Sequence, residues 1–186
     1  MATIIDSTSS HITASPWGHA AKWAAIGAVV GFVYLLVAYN VGLMTPTSFG
    51  ASIVNLLLSL AIGIAVITLG LRQYRDQVNG GVLTFKEGFM WTLGYAVLGA
   101  VLGALLAYVF YSFIAPNFFD EMRVGMEAMF ENMGMSDEQI EEALDAQAGS
   151  MSVSGVLTNQ LLFGVIGSLV LGSIVTAVLK RQPAGY

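Results

Sequence analysis

The chain has 186 residues, 56% of them hydrophobic and only 10% charged, a formal net charge of −5 and a mean hydropathy of +0.74. A soluble domain carries about a quarter charged residues, so the composition excludes an ordinary aqueous globule and a nucleic-acid binder. The absence of cysteine also removes disulfide frameworks, thiol catalysis, zinc-finger spacings and iron–sulfur ligation.

Residues 1–15 are rich in Ser and Thr and are expected to form a disordered tail holding Asp6 and His11. Ser15 is positioned to cap a helix that begins at Pro16, and Trp17, Lys22 and Trp23 fit an interfacial anchor. His11 and His19 have no partners at ligand spacing and are expected to be idle. The first apolar run, about 16–44, outlasts the roughly 7–15-residue core of a secretory signal and is followed by no small-x-small cleavage site, so it should be retained. Thr45-Pro46-Thr47 separates it from a second run, about 48–77, because proline lacks a backbone donor and clashes with the preceding turn. Further runs cover about 85–115 and 153–180. Each supplies the ~20 apolar residues that a helix rising 1.5 Å per residue needs to cross a hydrocarbon core of about 30 Å. Barrel strands would alternate apolar and polar residues, whereas Ala96–Val109 and Leu161–Val170 are apolar or small on every face. The expected fold is an all-α polytopic membrane protein with four transmembrane helices, forming a single domain over 16–186.

Between the second and third runs, Asn79-Gly80-Gly81 should end a helix and turn the chain. Thr84 with Glu87 forms a capping box that starts the next helix. Between the third and fourth runs, Phe118, Met122, Met126, Met129, Phe130 and Met133 fall at helical spacing and stop at Gly134. Ser136 with Gln139 is a second capping box, and Ile140 and Leu144 mark a short helix ending at Gly149. An acidic helical hairpin is therefore predicted over 117–148. Its stripe of Met122, Met126, Met129, Phe130 and Met133 is a candidate face for a membrane or periplasmic protein partner; the plainer reading packs it on its own neighbours.

Six of the seven cations, Lys22, Arg72, Arg75, Lys86, Lys180 and Arg181, share one side of a four-span arrangement. The positive-inside tendency makes that side, with both termini, cytoplasmic. The opposite side, outside the cytoplasm, receives the hairpin segment, which holds nine of the twelve acids against Arg123 alone.

At membrane depth this reading counts no Asp, Glu, Lys, Arg or His, with His19 assigned to the tail region; proton relays and ion-coupled carriers need such groups. The polar residues singled out there are Asn40 and Asn55. Asn55, Ser59 and Gly63 repeat every four residues, forming either an interhelical contact face or the wall of a polar pathway. Gly27 and Gly31, Gly99 and Gly103, and Gly164, Ser168 and Gly172 are expected to let helices approach closely, and a face left over would support a homo-oligomer. Glu138, Glu141, Glu142 and Asp145 lack the wrapped Asp-rich loop of a calcium site, so no metal is expected. No nucleophile elbow, phosphate loop or dinucleotide fingerprint occurs; neither an enzyme nor a cofactor is expected.

Tyr74-Arg75-Asp76 and Gly80-Gly81-Val82-Leu83-Thr84-Phe85-Lys86-Glu87-Gly88-Phe89 resemble the loop of a bacterial four-helix membrane family known as domain of unknown function 4199. So do Tyr111-Ser112-Phe113-Ile114-Ala115-Pro116, the phrase from Met133 to Glu141, and the closing pair Lys180-Arg181. The resemblance covers about residues 20–181 and implies fold and a cytoplasmic-membrane location, with no activity attached. Where that family often carries Pro-Asp, this chain has Pro116-Asn117. Gly134-Met135-Ser136-Asp137-Glu138-Gln139-Ile140 is also similar to part of a three-helix ubiquitin-associated module, but only two helices fit. Two functions are expected: an accessory, interaction or structural membrane subunit that uses the acidic hairpin, or alternatively an oligomeric channel or carrier for a small neutral or apolar solute.

Overall fold

The computed structural model describes residues 15–44 and 49–181. The tail with Asp6 and His11, and the Thr45-Pro46-Thr47 break, lie outside the described residues. The elements are α1 (Pro16–Asn40), α2 (Phe49–Gln73), α3 (Phe85–Val109), α4 (Phe118–Asn132), α5 (Asp137–Gln147) and α6 (Val153–Leu179). π-helical turns extend α2 through Tyr74–Val78 and α3 through Phe110–Ile114. Four helical segments, Pro16–Asn40, Gly50–Val78, Phe85–Ile114 and Val153–Leu179, are long and apolar enough to cross a membrane. The protein is thus all-helical with four such spans, and α4 and α5 form a packed pair between the third and fourth.

Local chemistry explains where the helices begin and end. Glu87 N–H donates to Thr84 Oγ1 at 3.3 Å while the Thr84 amide donates to Glu87 Oε2 at 2.9 Å. Gln139 N–H donates to Ser136 Oγ at 3.4 Å, and the Ser136 amide returns to Gln139 Oε1 at 3.0 Å. Both expected capping boxes are therefore formed. Pro16 does open α1, but the Ser15 side chain makes no capping bond.

The first span is shorter than expected, ending at Asn40 rather than near 44. Gly42 takes φ +72°; its N–H donates to Tyr39 O at 3.1 Å, and the Leu43 N–H donates to Ala38 O at 2.9 Å. This paired closure, centred on a left-handed residue, satisfies the last carbonyls and stops the helix. Glycine therefore ends the span before proline is reached. Gly134, at φ +79°, ends α4 in the same way, with Gly134 N–H on Glu131 O at 2.9 Å and Met135 N–H on Phe130 O at 3.2 Å.

α3 is the central span. It lies along α1 and α6, whereas α2 runs beside α1 and α6 and meets α3 chiefly through the Trp91 side chain. α1 runs parallel to α3, with Ala20 facing Gly94 and Ala24 facing Gly99. α6 runs antiparallel to α3, and the two interlock reciprocally: Thr176 sits on Gly88, and Thr92 sits on Gly172. At one end, the loop after α2 pairs with the segment after α6, Leu83 and Arg181 exchanging backbone bonds of 3.0 and 2.9 Å. Arg75 Nη1 also donates to Leu179 O at 3.3 Å. At the other end, Phe118 of α4 is buried among Phe110, Tyr111 and Ala115, with ring centroids 5.0 Å from Tyr111. That aromatic contact seats the hairpin on the spans.

Candidate functional site

The space between the spans divides into three layers. At the end holding the α2–α3 loop it is filled. Trp91 is fully buried there with Ala20, Ile67, Leu71 and Tyr74, and a Cβ added at Gly70 would lie 2.6 Å from the Trp91 ring. Trp91 Nε1–H donates to His19 Nδ1 at 2.9 Å, His19 Nε2 lies 3.2 Å from Gln73 Oε1, and Trp23 Nε1–H donates to the same oxygen at 2.8 Å. An indole nitrogen can only donate, so Nδ1 must accept, and the remaining ring nitrogen carries the hydrogen given to Gln73. His19 is therefore not idle, as the sequence suggested. It lies inside the first span and joins three helices.

At the hairpin end the space is filled again, by Phe110, Tyr111, Ala115 and Phe118 with Phe32, Leu36 and Tyr39 packed against them. Between the two plugs lies a cleft of about 320 Å³, walled by α1, α3 and α6. Among the described residues no α2 side chain lines it, and α1 and α6 share no extensive contact, so the side between those two helices is the one left without a wall of packed helix. The buried residues of α2, Val66, Ile67 and Leu71, belong to its second half; the first half exposes Ile53, Val54, Leu56, Leu57 and Leu60.

Six of the seven small residues expected to close helix contacts line this cleft: Gly27, Gly31, Gly99, Gly103, Gly164 and Ser168. A Cβ added at Gly31 would meet nothing within 4 Å, and one at Gly99 only Ala24 Cβ at 4.0 Å. At Gly164 it would meet only Gln160 of its own helix, at 3.8 Å. At Gly31 the missing side chain leaves space open, whereas at Gly99 and Gly164 an added Cβ would make only ordinary contact. At Gly27 and Gly103 the missing side chains make room for Tyr95 and Gln160, whereas Gly172 packs tightly on Thr92, outside the cleft.

The Asn55, Ser59 and Gly63 face does not line the cleft. Asn55 accepts the Tyr34 hydroxyl, through its side-chain oxygen and at 3.1 Å through its backbone oxygen. Ser59 turns back to Leu56 O at 2.9 Å, and Gly63 faces open space. Asn40 likewise donates to its own helix, at Leu36 O, 2.7 Å away. Tyr34 does line the cleft, so Asn55 tethers α2 to its wall.

Sequence reasoning overlooked Gln160, a membrane-depth amide in the fourth span. It lines the cleft opposite Gly103 and makes no hydrogen bond to another described residue. Tyr111, only 7% exposed, also lines the cleft, and its hydroxyl has no partner among the described residues. An amide in an otherwise uncharged span was the available signal for Gln160; nothing local distinguished Tyr111.

A family model described as protein of unknown function (DUF4199) matches residues 22–181. The chain belongs to this family. No curated protein and no solved structure matches it. In this DUF4199 chain the methionine stripe of the hairpin is largely occupied: Met126 is buried with Ile140 and Leu144, and Met122 and Phe130 pack against them. Met129 is half-buried. Met133, at 67% exposure, and Val124, at 64%, face outward. Among the described residues of the DUF4199 chain, no three His, Asp or Glu side chains gather as a metal site would require.

Proposed function

We propose that this membrane protein binds a small apolar or amphiphilic molecule drawn from the bilayer, acting as a binding or carrier protein rather than a channel. The observation that carries the reading is a cleft blocked at both ends by buried aromatic side chains and open at the side between α1 and α6. Its volume falls at the low end of the ~300–1,000 Å³ that ligand pockets occupy. The mouth sits at a depth where lipid, not water, is the solvent, so solutes in the hydrocarbon reach it without crossing an aqueous phase.

The charge distribution supports the bacterial cytoplasmic membrane, with both termini cytoplasmic and the α4–α5 hairpin on the opposite face. Lys22, Arg72, Arg75, Lys86, Lys180 and Arg181 cluster toward one end, and nine acids toward the other. Cytoplasmic loops carry excess Lys and Arg.

Gly31→Leu tests the binding reading. The added side chain enters open space, so folding should be kept while the cleft fills. Retention of single-chain hydrocarbons by the protein in lipid nanodiscs, read by native mass spectrometry, should drop at least about tenfold. Retention equal to wild type would reject the reading.

The outward Val124 and Met133 favour a second reading, an accessory subunit or homo-oligomer that uses the hairpin against another membrane or periplasmic protein. Val124→Glu with Met133→Glu should then abolish a specific association seen after mild solubilisation. An identical set of associated proteins would count against it.

A further inference from the structure

We infer that the occupant of the cleft is a neutral single-chain lipid carrying a hydroxyl or carbonyl, recognised by Gln160 and Tyr111. This rests on the cleft being a binding site and names what the site selects.

Shape comes first. The lining on α3 runs from Tyr95 to Tyr111, sixteen residues, or roughly 24 Å at the rise of an α-helix. A volume of about 320 Å³ spread over that length leaves a narrow slot. Its floor is made largely of Gly and Ala positions on three helices, without the broad chamber that a compact solute would fill. A thin, extended chain matches it.

Charge comes second. Among the described residues, no Asp, Glu, Lys, Arg or His lines the slot. An ion drawn in from the membrane would lose its solvation with nothing to neutralise it, which is far costlier than burying a hydroxyl or carbonyl that gains a hydrogen bond. Fatty acid anions and charged phospholipid heads are therefore disfavoured.

Polarity comes third. Gln160 offers two amide hydrogens and a carbonyl oxygen, and none is used within the described residues. Gly103 has no side chain where this amide lies, since a Cβ there would collide with it. Tyr111 lines the hairpin end of the slot, its backbone about 12 Å along α3 from Gly103 at the helical rise, and its hydroxyl has no partner among the described residues. Polar groups in a low-dielectric site cost free energy until a partner reaches them. A lipid bearing one oxygen can satisfy Gln160 or Tyr111, whereas a plain hydrocarbon satisfies neither. Entry is lateral, through the gap between α1 and α6.

The full chain in nanodiscs is offered three probes of equal length: oleyl alcohol, octadecene and oleate. The alcohol should bind at least about tenfold more tightly than the alkene and than the anion. Gln160→Leu, which keeps an apolar side chain against Gly103, should lower the alcohol-to-alkene ratio about threefold or more while alkene binding persists, and Gln160→Leu with Tyr111→Phe should bring it near one. If Gln160→Leu does not fold, Tyr111→Phe removes a single oxygen and should lower that ratio about threefold or more. Equal binding of alcohol and alkene to wild type, with both lost in Gly31→Leu, overturns this inference and leaves the cleft as a binding site. Tighter binding of oleate also overturns it. Failure of all three probes to bind overturns both.

Discussion

Gly172→Leu should prevent α3 and α6 from meeting and leave little folded protein to purify. Spans in lipid gain no hydrophobic drive from contact with each other, since lipid tails are as apolar as leucine, so close packing must hold them. The tightest packing in this chain is reciprocal, Thr92 on Gly172 and Thr176 on Gly88, and both threonines are fully buried. A Cβ at position 172 would overlap the methyl and the hydroxyl of Thr92 together. A β-branched side chain within a helix has few alternative rotamers to escape into. Even Gly172→Ala should cost about 1–3 kcal/mol, the usual range for overpacking, and leucine should exceed it. Thr92→Val is the informative control. The Thr92 hydroxyl is buried without a partner among the described residues, so an isosteric methyl should stay within about 1 kcal/mol of wild type. Thermal unfolding in detergent separates these outcomes, and a Gly172→Leu protein as stable as wild type would refute the interlock. The comparison with Gly31→Leu is direct: identical chemistry, opposite consequence, decided by what faces each glycine.

Trp91→Ala should be the other severe substitution, costing about 3–5 kcal/mol as large aromatic truncations do. Trp91 heads the largest fully buried side chains, stacks on Tyr95 at 5.4 Å and 8° between planes, and fills the space left by Gly70. It also supplies the only hydrogen that His19 Nδ1 accepts among the described residues. Trp91→Phe divides the two contributions. It keeps most of the packing and strands that nitrogen, a loss of about 1–3 kcal/mol for an unsatisfied polar group. His19→Leu should cost a similar amount, because it strands the Trp91 N–H and leaves only Trp23 on Gln73. Equal stability of Trp91→Phe and wild type in detergent unfolding would show that the hydrogen-bond chain contributes nothing.

The two capping boxes and the glycine turns were readable because each depends on residues within about four positions of one another. Gly42 belonged to the same class of signal, but the nearby Thr45-Pro46-Thr47 looked like the stronger break. His19 was misjudged for a different reason: its partners Gln73 and Trp91 are 54 and 72 residues away, and ligand spacing says nothing about such distances. Gln160 was hidden by attention to Asn55, whose four-residue repeat was regular. That repeat places only Asn55 against another helix, through Tyr34.

The sequence by itself determined that four spans exist, where the hairpin interrupts them, and how scarce charge divides between their ends. These follow from run length, caps and charge, all of which are local or additive. Which glycines close a contact and which open a cleft was decided only by the tertiary structure. In a soluble helix the apolar stripe points to the core, but spans that are apolar on every face carry no such direction. Gly31 and Gly172 look alike in the chain. Only the placement of Thr92 against one, and of empty space against the other, tells them apart.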